Sequence, residues 1–79
     1  MRSSESERVA RQVGAALRRI RLERGRRQRH VAKAAGITRG MLCSYELGRQ
    51  CPSLPNLVGV LAALDCSAEE FGRHLGPWG

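Results

Sequence analysis

The side chains with the most evident chemistry are the arginines. Thirteen of the 14 basic residues are Arg and only Lys33 is Lys, which leaves the 79-residue chain with a formal charge of +7. A guanidinium presents its N–H groups in a planar fork, so it can donate two hydrogen bonds at once to a phosphate or a guanine edge. Residues 1–40 hold 12 cations and 3 anions, whereas residues 41–79 hold 2 and 4. This asymmetry favours a polyanion on one face and a different partner on the other.

The other reactive residue types do not form a catalytic or metal-binding set. Cys43, Cys51 and Cys66 are an odd number without a C-x-x-C pair, which fits neither a disulfide framework nor a zinc knuckle. We expect reduced thiols in a cytoplasmic protein without a cofactor. His30 and His74 are expected at the surface, without a metal. There is no Ser/His/Asp set, carboxylate pair or glycine-rich phosphate loop, so the sequence does not predict an enzyme.

The length and hydropathy of the chain predict one small folded domain. A domain of this size buries only about 60 % of its unfolded surface, so a large catalytic cleft would compete with the core. No apolar run approaches the roughly 20 residues that span a bilayer. The polar residues 1–14 lack the apolar centre of a secretory signal. We expect a single domain over residues 1–79, with its core between about residues 5 and 75 and an irregular tail at 76–79.

The spacing of apolar residues predicts three helices in the basic half and the residues just after it. Ser4 and Glu7 have the S-x-x-E spacing of a capping box, and apolar residues then recur every three or four positions towards Gly25. A second helix ends at Gly36, and Thr38 is placed to cap a third.

Two further helices are predicted in the remaining residues. The segment 49–53 (RQCPS) breaks the helical pattern, because a proline disfavours helical geometry in the residue before it. Ser53 or Leu54 then opens the fourth and most apolar helix, with Pro55 in its first turn. A second S-x-x-E box at residues 67–70 opens the fifth helix. With no strand pattern, the chain is expected to be an all-α domain.

The second and third helices have the arrangement of a helix-turn-helix, at about residues 28–48. The tight turn needs a glycine where the backbone reverses, and Gly36 stands at that point. The third helix opens with the polar residues Thr38 and Arg39. Its N-terminus would present unpaired N–H groups and a partial positive charge to a phosphate or a base edge.

From Leu17 to Phe71 the chain resembles the helix-turn-helix family of the phage lambda and 434 repressors and Cro, called the XRE family. The matching residues are 17–25 (LRRIRLERG), Gln28, Val31, Ala32, Gly36, Ile37, 42–49 (LCSYELGR), Pro52, Ser53, Leu54, Leu57 and 61–64 (LAAL). The resemblance implies a five-helix lambda-repressor-like domain. It also implies a bacterial or phage transcription regulator that binds double-stranded DNA as a homodimer on a palindromic operator.

The resemblance places the recognition helix at residues 38–47, in the major groove of DNA. Base reading then falls on Thr38, Arg39, Gly40 and Ser44. We expect Arg39 to contribute most, because a guanidinium at the tip of this helix can bond the O6 and N7 of guanine together.

Contacts with the DNA backbone are expected from a second group of residues. Gln28 and Arg49 match residues that contact phosphates in this family. Arg18, Arg27 and Arg29 are added from the basic face, although each is equally a solvated surface charge. Such contacts set the register on DNA without reading the sequence.

The resemblance also implies residues that stabilise the fold or the dimer. Arg21 and Glu46 fall where similar repressors have an internal ion pair between the first helix and the end of the third. Two of the three aromatic residues lie in the last nine positions. We therefore expect a dimer contact from Phe71, Leu75 and Trp78, with closure of the core as the alternative.

Two positions depart from the family pattern. Position 26 is usually apolar and position 27 is usually a Ser or Thr cap, but both are Arg here. The second helix should therefore lack a side-chain cap, and the cluster either adds phosphate contacts or frays the turn. Cys43, inside the recognition helix, is expected to pack, and it is the best candidate if the protein senses oxidation.

Two other functions compete with DNA-binding regulation. One is a protein-interaction adaptor or antitoxin-like module, in which the apolar fourth and fifth helices bind a partner protein. The other is a basic membrane-surface helix at residues 5–24. We expect no membrane binding, because Val9, Val13, Leu17 and Ile20 are needed for the core.

Overall fold

The computed structural model describes residues 2–76, with side chains from residue 4 onwards, and in this range it contains five helices and no strand. The all-α class is therefore confirmed. The helices are α1 (Arg2–Glu23), α2 (Gln28–Ala35), α3 (Arg39–Glu46), α4 (Leu54–Ala63) and α5 (Ala68–Leu75). None of these five helices has both the length and the hydropathy that a membrane span requires.

Three helices begin at the caps that the sequence predicts. The side-chain oxygens of Thr38, Ser53 and Ser67 each accept the backbone N–H three residues later, at 3.0, 3.3 and 3.0 Å. Each bond satisfies one of the N–H groups that a helix N-terminus leaves unpaired. The starts of α3, α4 and α5 are thus determined by their own sequence.

The predicted start of α1 is wrong. The helix begins at Arg2, two residues before Ser4, so Ser4 lies within its first turn. No proline or glycine precedes Ser4, and the S-x-x-E pattern marks a helix start only where the chain before it leaves the helix. Glu5 and Arg8 lie 4.0 Å apart across this first part of α1.

One apolar core joins all five helices, and its largest fully buried side chain is Tyr45. The Tyr45 hydroxyl accepts a hydrogen bond of 2.9 Å from Asn56 Nδ2, so this buried polar atom is satisfied. The core residues are Val13, Ala16, Leu17, Ile20, Val31, Ala32, Leu42, Tyr45, Val60, Leu61, Leu64, Cys66 and Phe71.

Helix α1 lies directly against the end of α3. A Cβ atom added at Gly14 would overlap the backbone oxygen of Tyr45. At Gly48, which has a φ of +74°, an added Cβ would lie 2.7 Å from Arg11 Cγ. Two glycines therefore let α1 support the end of α3 at backbone distance.

The turn between α2 and α3 has the predicted glycine geometry. Gly36 has a φ of 74°, in the left-handed region, and the Ile37 N–H donates to Ala32 O at 3.0 Å. This pattern satisfies a carbonyl at the end of α2 and reverses the chain within two residues. Thr38 follows at once and starts α3.

Candidate nucleic-acid interface

The N-terminal turn of α3 is open to solvent. Thr38, Arg39 and Gly40 are exposed, and Ser44, one turn further along, is half-buried. Thr38 Oγ1 accepts the Met41 N–H, which leaves its own hydroxyl proton free to donate. A Cβ atom at Gly40 would have only Thr38 Oγ1 nearby, at 3.8 Å, so this part of the helix has room for a close neighbour.

A shallow depression of about 470 Å³ lies between the N-terminal ends of α2 and α3, and we call it the basic groove. It is lined by Arg21, Arg27, Gln28, Arg29 and Arg39. Four of these five side chains are cationic, and no acidic side chain of the described residues lines the depression. The groove therefore attracts anions.

Three of the groove arginines have their guanidinium groups free. Arg27, Arg29 and Arg39 are exposed. Within residues 4–76, no side chain or backbone atom makes a hydrogen bond or ion pair with the guanidinium groups of these three residues. Their donors are thus available to a ligand without breaking a contact in the protein.

Two other predicted phosphate residues lie outside the basic groove. Arg49 is exposed in the segment after α3. Arg18 lines a separate depression between α1 and the residues that follow α3, together with Arg19, Leu22 and Leu47. The structure therefore brings Arg27, Gln28, Arg29 and Arg39 together, and it leaves Arg18 and Arg49 apart from them.

The fourth groove arginine, Arg21, is held by Glu46. Arg21 Nε lies 2.6 Å from Glu46 Oε2 and Nη2 lies 3.0 Å from Oε1, and the two side chains are only 11 % and 2 % exposed. The hydrogen bond to Glu46 raises the pKa of Arg21 above its ordinary value. Arg21 Nη1 also donates to Arg26 O at 2.9 Å, so this residue connects α1 to α3 and to the turn before α2.

Gln28 is connected to the same carboxylate. Its Nε2 donates to Glu46 Oε1 at 2.9 Å, which orients the side chain at the start of α2. An amide nitrogen carries two hydrogens, so the second remains for another acceptor. Glu46 thus positions Gln28 at the edge of the basic groove, an interaction that the sequence did not predict.

Arg26 has a structural role that the sequence left open. Its Nη1 donates to Ala63 O at 2.6 Å and its Nη2 lies 3.3 Å from Asp65 Oδ2, so it binds the C-terminal end of α4. The turn before α2 is also ordered, because the Arg26 N–H donates to Arg21 O at 3.1 Å. Arg27 is the N-cap of α2 and makes no side-chain capping bond, as predicted.

The signal for this role was present in the sequence. Position 26 is usually apolar in the XRE family, which indicates that its side chain points inwards. A long arginine stem can pack at such a position while its guanidinium reaches unpaired carbonyls at a helix end. The turn is therefore not frayed, and the Arg26 guanidinium is engaged within the protein.

Arg24 connects α1 to α5. Its Nη2 lies 2.8 and 2.9 Å from the two carboxylate oxygens of Glu70, and this hydrogen bond lowers the pKa of Glu70. Burial raises the pKa of the nearby Cys66 thiol, so this thiol stays protonated at neutral pH. Cys43 is half-buried and Cys51 is exposed, and all three cysteines are free.

Of the three residues expected at the dimer contact, Phe71 needs correction. Phe71 is 6 % exposed and belongs to the core, and Leu75 packs against that core. A ring already enclosed in its own protomer has little surface left for a second copy. Phe71 therefore closes the core, and Trp78 lies outside the described residues.

The two histidines differ in their surroundings. His30 is exposed. His74 is half-buried, with Nδ1 3.0 Å from Glu70 O and Nε2 3.4 Å from Glu23 Oε1. Among the described residues, no group of three or more His, Cys, Asp or Glu side chains could hold a metal ion.

Comparisons with known proteins identify the family of the chain. A helix-turn-helix family model matches residues 17–71. Two solved structures of the clp gene regulator ClgR from Corynebacterium glutamicum are similar to it, each with 31 % identity, 85 % coverage of this chain and a TM-score of 0.81. The matches cover 71 % and 87 % of the ClgR chains. None of the curated protein sequences compared with the chain matches it significantly.

The family match spans both helices of the motif, the Arg21–Glu46 pair and the start of α5. It therefore includes the basic groove and the core that supports it. The chain belongs to the XRE family of helix-turn-helix proteins.

Proposed function

We propose that the protein is a sequence-specific DNA-binding transcription regulator that acts as a homodimer on a palindromic operator. Membership of the helix-turn-helix family and the similarity to ClgR, which is described as a gene regulator, support DNA binding and regulation. The observation that carries the proposal is the basic groove, where three arginines with unpaired guanidinium groups lie between the N-terminal ends of α2 and α3.

Sequence reading is assigned to the exposed end of α3. Arg39 reaches into the major groove and donates to O6 and N7 of a guanine, a contact that discriminates between bases by about 1–3 kcal/mol. Thr38 donates its free hydroxyl proton, and Ser44 contacts a base one helical turn further along. Gly40 has no side chain to read with, and its open surroundings let the α3 backbone approach the base edges.

Backbone contacts are assigned to the rest of the groove and to Arg49. Arg27 and Arg29, which flank Gln28 in the sequence, are exposed. They bind neighbouring phosphates. Gln28 uses the amide hydrogen that Glu46 does not engage. The N-terminus of α2 has no capping side chain, so its N–H groups are also open to a phosphate oxygen.

The test is selection of bound sequences from a random pool of double-stranded DNA by the purified protein, at two salt concentrations. We expect a symmetric motif whose half-sites lie about one helical turn apart, and an affinity that falls steeply with salt as counterions are released. Recovery of no motif at either salt concentration would contradict the proposal and favour the protein-interaction adaptor.

A further inference from the structure

One face of α4 is apolar and open to solvent. Leu54 and Val58 are 72 % and 57 % exposed, the two highest values among the large hydrophobic side chains of the described residues. Pro55 and Ala62 are also exposed. At about 100° per residue, these four positions fall within one arc of roughly 100°. We call this surface the α4 face.

The side chains of the α4 face are not part of the apolar core. Val60, on the opposite side of α4, and Leu61, at the edge of the α4 face beside Leu54, are both buried among the core residues. On a third side, a Cβ atom added at Gly59 would lie 3.3 Å from Ala35 O, so α4 packs against α2 almost at backbone distance. The helix is thus fully anchored while Leu54 and Val58 remain in water. Contiguous exposed apolar surface of this kind marks an interaction site.

Charge indicates which partner fits this surface. Residues 50–64 contain no charged side chain, although the whole chain carries +7. Two copies of a strongly cationic protein repel each other, and the repulsion is smallest where the approaching surfaces contribute no charge of their own. The side of the molecule that bears the basic groove has the opposite character, because Arg27, Arg29 and Arg39 are exposed there.

We propose that two copies of this chain associate through the α4 face, in a symmetric contact with Leu54 and Val58 near the two-fold axis. The inference rests on the proposed homodimer and names the surface that forms it, in place of the contact expected from Phe71. A stable interface uses roughly 20 residues or more on each side, so an apolar centre of four side chains forms a weak dimer. The dimer therefore exchanges with monomers in solution and is completed on palindromic DNA.

The first test is sedimentation velocity of the free full-length chain over a concentration series. We expect the average mass of the wild type to rise above 8.7 kDa with concentration. Val58→Lys should remain a monomer throughout, because two added cations would meet at the axis. Leu54→Ser should weaken association by roughly tenfold, as expected when one central apolar side chain is removed from an interface. Leu22→Ser is the matched control, since Leu22 is 51 % exposed on α1.

The second test uses the pairwise symmetry of the contact. In a two-fold interface near its axis, residue 58 of one copy lies close to residue 58 of the other. An equimolar mixture of Val58→Lys and Val58→Glu should therefore recover the dimer that Val58→Lys alone does not form. Melting curves by circular dichroism check that each variant is folded, and Leu54→Ser provides the test if either charged variant is not.

The outcomes separate this inference from the proposed function. Association of Val58→Lys equal to that of wild type, or loss of association in Leu22→Ser alone, overturns the α4 face. Neither readout requires DNA, so a failure to select a palindromic sequence would reject the proposed function without affecting this test. If the wild type stays monomeric at every concentration in the absence of DNA, the inference is wrong.

Discussion

The joining segment between α1 and α2 and the first turn of α2 carry arginines of two kinds. Arg24 and Arg26 bind a carboxylate and a carbonyl in the second half of the chain, at 2.8 and 2.6 Å. Arg27 and Arg29 are only one to five residues further along, yet their guanidinium groups have no bonded partner within the described residues. Residues of one type and one region of sequence therefore divide into a group that stabilises the fold and a group that is available to a ligand.

The net charge of residues 1–40 therefore overstates the positive charge that is available to DNA. Residues 1–40 carry most of the positive charge, but Arg21, Arg24 and Arg26 use theirs inside the protomer. Their partners, Glu46, Asp65 and Glu70, are three of the four acidic residues in the second half of the chain. The opposite charges of the two halves thus reflect pairing between them as well as recognition of a polyanion.

The largest effect is expected at the buried pair. Glu46→Ala leaves the Arg21 guanidinium without its carboxylate and Gln28 without its acceptor, and removal of one partner of a buried pair costs about 3–5 kcal/mol. That is a large part of the total stability of a small domain, so the variant should be mostly unfolded. Urea titration measures this loss of stability.

The Arg21→Met, Glu46→Leu double variant is the control for this effect. It removes both charges together and should recover a large part of the stability that Glu46→Ala removes. A Glu46→Ala variant with the wild-type melting temperature would mean that the ion pair does not support the fold.

A smaller effect, on specificity alone, is expected at the tip of α3. Arg39→Ala should relax the preference for one base pair in each half-site, by about 1–3 kcal/mol of discrimination, because no other side chain replaces the guanidinium. Stability should not change, since the Arg39 guanidinium has no bonded partner within the described residues. Competition binding with single-base-pair variants of the selected site measures this preference.

Arg49→Ala is the matched comparison. It should weaken binding to all sequences by a similar factor, as expected for a residue that binds a phosphate. Loss of specificity in Arg49→Ala, with retention in Arg39→Ala, would reverse the two assignments.

Arg26 and Arg27 are neighbours in the sequence, so they test the division between the two groups of arginines most closely. Arg26→Ala removes the bonds to Ala63 and Asp65 and should lower the free energy of unfolding by about 1 kcal/mol. Its affinity for DNA should be unchanged. Arg27→Ala should leave stability within about 0.5 kcal/mol of wild type and reduce the slope of log affinity against log salt by about 0.9, because one phosphate is no longer neutralised. Urea titration and salt-dependent DNA binding of both variants measure these effects. Equal changes in stability and in salt dependence in the two variants would mean that Arg26 and Arg27 do not differ in role.

The smallest effect concerns pH. Arg24 lowers the pKa of Glu70 in the folded protein, so the pair stabilises the fold above the ordinary carboxyl pKa. This contribution is lost as the pH falls through the folded-state pKa and Glu70 is protonated. Wild type should therefore melt at a higher temperature than Glu70→Gln at neutral pH, and the two melting temperatures should converge in acid. A difference that grows with acidity would contradict the pairing.

Much of the fold could be predicted because the signals are local. Thr38, Ser53 and Ser67 act as caps within four residues of sequence, and Gly36 forms its turn from its own backbone geometry. The start of α1 at Arg2 could not be predicted, since no residue there breaks the helix.

The candidate site was predictable only in part, because its supports are long-range. Arg26 and Ala63 are 37 residues apart, and Arg24 and Glu70 are 46 apart. The spacing of charges along the chain does not show which arginine reaches across the fold. The burial of Phe71 likewise depends on how α5 packs against the rest of the core.

The most direct test of the account is NMR mapping of the isotope-labelled protein as the selected duplex is added. We predict the largest changes in backbone amide shifts at Gln28, at residues 38–44 and at Arg49, with Arg26 and the end of α4 little changed. Arg26 should stay bound to Ala63 while the basic groove responds. Changes concentrated around Arg24, Arg26 and α5, with the start of α3 unaffected, would contradict the division of the arginines into scaffold and DNA-binding groups.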